Sequence, residues 1–261
     1  FLIFLDSVQT ANIGNISNYI TASEVNLCLT IQAFQEAVHS QSYSYMLDSI
    51  CSPEERKNIL YQWRDDKILL QRNKFIGDLY NNFINNPTKK NLLKTIMANY
   101  ILEGIYFYSG FMFFYNLERN GKMSGSAQEI RYINRDENTH LWLFRNILKE
   151  LQNEEPELFT DNMKNELISM MKQGVENEIE WGHYVIGDNI QGINKKLIED
   201  YIKYLGNLRL SAIGLPKLYD ISDENPAKWV DIFGDANLVK TDFFEAKSTA
   251  YAKASTLIDD L

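Results

Sequence analysis

The stretch Ile101–Tyr115, ILEGIYFYSGFMFFY, limits the fold more than any other part of the chain. Wound as a helix it is apolar on every side, and Glu103 is its only charged residue. Such a helix has to be surrounded by other protein. It is too short to span a bilayer, so the middle of a helical bundle is the place left for it. A lone buried carboxylate costs several kcal/mol or takes up a proton. Glu103 therefore needs compensation, either from a metal ion or from an Arg or Lys.

The rest of the chain punctuates into helices. Thr21-Ala-Ser-Glu24 has the form of a capping box before a helical pattern that runs to about residue 49. Ser52-Pro53 supplies an N-cap and a first-turn proline for a helix reaching about residue 84. Pro87-Thr88 opens the long apolar helix, which ends at Asn120-Gly121, and Ser124 or Ser126 caps a helix over 127–152. Helices also fit 161–187, 195–213 and 241–258, while 216–240, with Pro216, Pro226 and Gly234, reads mostly as loop. Few stretches alternate with period two, and there is no solenoid repeat. With five prolines and 13 glycines in 261 residues, long helices are favoured over many short strands. The expectation is one all-α domain over 1–261, arranged as a bundle.

Composition excludes several classes. Apolar residues at 45% and charged residues at 23% describe a globular chain, not a disordered one. A net charge of −9 with no cluster of Lys and Arg argues against nucleic acid as a partner. No signal peptide or membrane span is apparent. Cys28 and Cys51 form no CxxC pair and no disulfide framework, so a reduced, cytoplasmic setting is expected.

The chain has three histidines, and each follows a glutamate by three residues: Glu36/His39, Glu137/His140 and Glu180/His183. On a helix, residues i and i+3 share a face, so carboxylate and imidazole can converge on one ion. One such pair also arises by chance or as a surface salt bridge. Two on separate helices, with buried acids between them, carry more weight. Asp6, after the apolar run FLIFL, alone reads as a helix cap. Taken with the others it completes a set: Asp6, Glu36, Glu103 and Glu137 bring four negative charges, which two divalent ions neutralise. His39 and His140 add one neutral nitrogen each. Oxygen-rich donors with few imidazoles suit iron and manganese better than zinc. The set matches the dimetal bundle pattern of one Glu from each of two helices and a Glu-x-x-His from each of the other two, with Asp6 replacing the first Glu. The third pair lies in ENEIEWGHYVIGD, where Glu176 and Glu178 make the helix acidic and no second buried carboxylate is evident, so His183 is read as a structural or surface residue.

The stretches LDSVQ (5–9), FQEAVHSQSYSYML (34–47), LEGIYFY (102–108), IRYINRDENTHL (130–141) and YIKYLGNLRLSAIGL (201–215) span nearly the whole chain. Through them it resembles the radical-generating small subunits of class I ribonucleotide reductases. The resemblance implies a ferritin-like helical bundle with additional helices and a dinuclear Fe/Fe, Mn/Mn or Mn/Fe centre. That centre reacts with an oxygen species and stores a radical or high-valent oxidant for a large catalytic subunit. Position by position, it makes Asp6, Glu36, His39, Glu103, Glu137 and His140 the metal ligands. Tyr43 falls at the radical tyrosine, with Phe107, Phe111 and Ile133 as its apolar pocket. Asp136 falls at an acid that touches the first histidine on the radical-transfer path. Some subclasses keep the oxidising equivalent on the metal pair, so the position of Tyr43 does not by itself make it a radical. A homodimer is also implied. The family's upstream Trp and its C-terminal tail with a relay tyrosine are expected outside residues 1–261. Two other readings stay open on the residues alone: another oxygen-activating dimetal oxidase of the ferritin-like class, or an iron-binding helical protein that is not an enzyme.

Overall fold

A computed structural model describes residues 2–236, and among these no strand occurs. The helices are α1 (Leu2–Ser17), α2 (Ser23–Ile50), α3 (Pro53–Tyr61), α4 (Lys67–Asn85) and α5 (Lys89–Ile101). A π-helical turn, Leu102–Tyr106, leads from α5 into α6 (Tyr108–Arg119). Then follow α7 (Ser124–Glu154), α8 (Asp161–Val185), α9 (Lys195–Ala212) and the short α10 (Lys228–Gly234).

Four helices close a ring: α1 packs on α2, α2 on α7, α7 on α5, and α5 back on α1. Helices α4, α8 and α9 wrap the outer side of α5 and its π turn, so the Ile101–Tyr115 stretch is buried nearly throughout. Close approach is permitted by small residues. A Cβ on Gly174 of α8 would lie 2.4 Å from the Ile101 side chain, and one on Gly206 of α9 would lie 2.7 Å from Val175.

Several boundaries differ from the sequence expectation. The 53–84 segment is two helices, because Asp66 caps a new start by accepting from the Leu69 N–H at 3.0 Å. The Ser52 N-cap and the first-turn proline form as expected, and Glu55 answers back to the Ser52 N–H to complete a capping box. The Thr21–Glu24 box does not: α2 begins with Ala22 at its N-cap and no side-chain cap. That corner is held instead by Asn26, which accepts from the Ser17 hydroxyl and donates to the Ile20 carbonyl, both at 2.7 Å. Helix α7 starts three residues earlier than expected, behind Met123 in the left-handed region with φ 51°, and neither serine caps it. Helix α10 interrupts the expected 216–240 loop. The expected helix 241–258 lies outside the described residues.

Candidate metal centre

Each wall of the four-helix ring turns acidic groups inward. Asp6 comes from α1, Glu36 and His39 from α2, Glu103 from the π turn, and Glu137 and His140 from α7. All four carboxylates are completely buried, and the two imidazoles nearly so. The i, i+3 spacing works as the sequence suggested: each Glu-x-x-His presents both side chains on one inward face.

Both histidines aim Nδ1 at the centre. His39 Nδ1 lies 3.2 Å from Glu137 Oε1 and 3.9 Å from Glu36 Oε2. His140 Nδ1 lies 3.2 Å from Glu137 Oε2, 3.4 Å from Glu36 Oε1 and 3.8 Å from Glu103 Oε2. Glu36 and Glu137 thus stand between two imidazoles whose ring centres are 6.0 Å apart. Two donor groups result, Glu36/Glu103/Glu137/His140 and Asp6/Glu36/His39, each with its ligand atoms within 4.8 Å of one another. They share Glu36, so one carboxylate faces both groups.

The outward nitrogens are anchored. His39 Nε2 lies 3.3 Å from Asp136 Oδ2, and His140 Nε2 lies 2.9 Å from Gln35 Oε1. These acceptors hold one ring proton on Nε2, so that loss of the other frees the Nδ1 lone pair toward the cage, the arrangement used to orient metal-binding imidazoles. Glu103 is held similarly: one oxygen, Oε1, accepts from Gln9 at 2.6 Å, from Asn99 at 3.0 Å and from Gln32. Its other oxygen has no hydrogen bond, nor does either oxygen of Asp6 or Glu36. Buried carboxylate oxygens without donors are costly, and their convergence fits a pair of hard or borderline cations.

The electrostatics describe a crowded cage. Burial, then the charges of Glu36 and Glu137, hold Asp6 well above the usual carboxylate range. Burial and the charge of Glu137 lift Glu36 to about 7. Glu103 is also held well up by burial, against the attraction of His140. Burial works against a charged His39, but hydrogen bonds to Asp136 and Glu137 push it to about 10. Burial is likewise overcome at His140, where Glu137 and Glu36 push the imidazole to about 11. Glu137, bonded to both histidines, stays below its ordinary value in spite of burial.

Tyr43 lies one helical turn beyond His39 and is buried, with no hydrogen-bond partner for its hydroxyl. It lines an apolar cavity of about 300 Å³ together with Met46, Phe113 and Phe114. Phe107, Phe111 and Ile133 are buried in the same apolar cluster, and the two phenylalanine rings stack at 5.8 Å. Burial, then the charge of Asp6, raise the phenol well above its usual value.

His183 stands apart, with Nε2 3.0 Å from the Lys195 carbonyl, and Glu180 is exposed. The same helix nevertheless holds a buried acid that the sequence reading passed over. Glu178 is completely buried and bonded to Arg72 of α4 through Nε at 2.9 Å and Nη2 at 2.6 Å. The buried ladder Leu167, Met171, Val175, Glu178, Gly182 was a usable signal. Gln9, Gln32, Gln35 and Asn99 had none, since an amide inside a helix looks alike whether it faces water or a carboxylate.

A ring of helices that turns four carboxylates and two imidazoles inward defines a ferritin-like dimetal-carboxylate protein. The model of the ribonucleotide reductase small chain family matches residues 1–226, and the chain belongs to that family. It is similar to the ribonucleoside-diphosphate reductase subunit beta of Treponema pallidum (strain Nichols), at 66% identity over 100% of this chain and 75% of that protein. Against the subunit beta of Halalkalibacterium halodurans the identity is 45%, over 97% of this chain and 74% of the other. The structure resembles the ribonucleotide reductase R2 subunit from Clostridium botulinum, with a TM-score of 0.88 and 56% identity over 90% of this chain and 74% of that one. Family membership makes the chain the small subunit of a class I reductase, and the buried cluster is compatible with a dimetal site.

Proposed function

We propose that this chain generates and stores an oxidising equivalent and delivers it to a large catalytic subunit that reduces ribonucleoside diphosphates. The observation that carries the reading is the pair of donor groups sharing Glu36, walled in by buried residues. Asp6, Glu36, His39, Glu103, Glu137 and His140 hold two ions, iron, manganese or one of each. Once oxidised by an oxygen species, the bound ions would supply the one-electron oxidising power that the side chains lack.

The protein's own groups do the rest. Asp136 and Gln35 fix the imidazole tautomers by accepting the Nε2 protons. Phe107, Phe111 and Ile133 keep water and reductants from the phenol of Tyr43. Tyr43 keeps its proton in the resting protein, so its oxidation gives up proton and electron together. The charge of Asp6 strengthens the phenol's hold on that proton, and the Tyr43 hydroxyl has no hydrogen-bond partner among the described residues. Asp136, partly exposed at 19% of its side chain, links the cage to the surface and is assigned to the radical-transfer path.

An exposed face of helix α2 supports a homodimer. Leu27, Ile31, Phe34 and Val38 are all exposed and recur at intervals of three and four, an apolar stripe along one face. No described helix is long and apolar enough to cross a membrane. The free Cys28 and Cys51 support a cytoplasmic, reducing location.

Metal analysis joined to electron paramagnetic resonance, on protein activated with iron or manganese, tests the reading. A sharp tyrosyl signal abolished by Tyr43→Phe is the expected result. A multiline manganese signal that survives Tyr43→Phe with reductase activity intact sinks the role of Tyr43. Failure to bind any ion sinks the whole reading.

A further inference from the structure

The π turn that carries Glu103 is gripped from outside the cage. A π turn lengthens the hydrogen-bond ring by one residue and displaces backbone groups from the α ladder, and it is rare outside functional sites. Buried groups so displaced need other partners. Here two carbonyls of the turn accept from arginines of different helices. Arg72 Nη2 of α4 donates to the Tyr106 carbonyl at 2.5 Å, and Arg209 Nε of α9 donates to the Gly104 carbonyl at 3.3 Å. On the far side of the junction, the Ser109 N–H lies in the first turn of α6, where amides lack helical acceptors. It donates to Glu178 Oε1 at 3.3 Å, and the Ser109 hydroxyl donates to the same oxygen. Glu178 in turn binds Arg72.

One ion pair therefore holds a carbonyl before the junction and an amide after it. The Tyr106 ring reinforces the grip: it lies 4.0 Å under the Arg72 guanidinium, and its hydroxyl donates to the Arg72 carbonyl at 3.2 Å. The register matters because Asn99, Glu103, Phe107 and Phe111 follow one another at intervals of four. In an ideal α-helix each such step drifts by about 40°, which would swing Phe111 well away from the face that bears Glu103. The wider π turn takes up that drift, and Phe107 and Phe111 stack almost parallel, at 8°.

We propose that the Arg72–Glu178 pair, aided by Arg209, is a clamp that keeps residues 102–106 in the π register and so aims Glu103 into the cage. Arg72 and Glu178 are positioning residues: they touch the backbone beside the ligand, not the ligand. The proposal rests on the reading of Glu103 as a metal ligand.

Hydrogen exchange on the metal-free chain and anaerobic manganese(II) titration test it together, in Arg72→Met/Glu178→Met. Replacing both buried charges by apolar side chains of similar size preserves folding in other proteins while removing the grip on Tyr106 and Ser109. The expected result is an unfolding temperature close to the parent's with amides 102–109 exchanging about tenfold faster or more. Elsewhere exchange stays as in the parent, and one of the two manganese ions binds at least about tenfold more weakly. Parental exchange at 102–109 in the folded double variant overturns the clamp. If the double variant does not fold, Arg72→Lys carries the same measurements. Lysine keeps the charge but lacks the fixed fork that reaches Glu178 and Tyr106 at once, and parental values for both readouts overturn the clamp there. Absence of manganese binding by the parent chain would sink the dimetal reading alone, and the exchange result would still decide the clamp.

Discussion

Replacing Glu103 by glutamine separates what this carboxylate costs the fold from what it contributes to the metal site. The substitution keeps size and shape, and it keeps an oxygen for the donors Gln9, Gln32 and Asn99. It removes one of the cage's four completely buried carboxylates. In the metal-free protein Glu103 is held well above its ordinary value, chiefly by burial. The unfolded carboxyl has its usual value, so over the interval between the two the native state binds more protons and stability falls as pH rises. At pH 7 that penalty is present, and the amide relieves it. Neutralising a buried charge of this kind gains about 1–3 kcal/mol, a rise of roughly 2–12 °C in the metal-free unfolding temperature for a chain of this size.

With metal the sign reverses. Groups outside the ligand shell already change metal affinity by about 10–100-fold, so losing a charged ligand should cost at least about 100-fold. By linkage, about 100-fold in affinity removes roughly 2.7 kcal/mol of metal-dependent stabilisation, or about 5–11 °C of the upward shift on loading. Scanning calorimetry with and without manganese(II), with metal counted by elemental analysis, reads both arms. Glu180→Gln and His183→Gln serve as controls outside the cage and should leave occupancy unchanged. The reasoning is refuted if Glu103→Gln is destabilised without metal, or if it keeps parental occupancy while the controls lose theirs.

Two further outcomes follow from the same geometry. In the metal-free protein the neighbouring carboxylates push His39 to about 10 and His140 to about 11, so both are protonated at pH 7 and must lose a proton to bind an ion through Nδ1. Calorimetric titration in buffers of different ionisation enthalpy should therefore show at least about two protons released on full loading, with affinity falling as pH is lowered; release of none would contradict the cage. Phe34→Asp places a charge in the middle of the exposed apolar stripe of α2. Sedimentation velocity should show it monomeric at concentrations where the parent is dimeric, and an unchanged dimer would move the interface elsewhere.

What could be read from residues alone was whatever rests on local geometry or on a cost that no environment removes. The Glu-x-x-His pairs share a face in any helix, and Glu103 is conspicuous because a charge inside an apolar helix has to be compensated wherever that helix packs. The bundle class and five of the six inward ionisable groups were legible for those two reasons, while Asp6, which alone reads as a helix cap, entered only through the set it completes. The split at Asp66 and the absent Thr21 cap were misread: Asp66 caps a new helix start, and the other corner is held by Asn26 through bonds that exist only once α1 and α2 come together. The amides around Glu103 and the Arg72–Glu178 pair were decided by the tertiary structure. Gln9 and Gln32 lie 94 and 71 residues from Glu103 and Arg72 lies 106 from Glu178, while Asn99 is one helical turn from Glu103; nothing in a helical period records which distant carbonyl or carboxylate will be opposite. The same holds for the π turn: LEGIY is helical by composition, and only the neighbours that hold its displaced carbonyls make it a π turn.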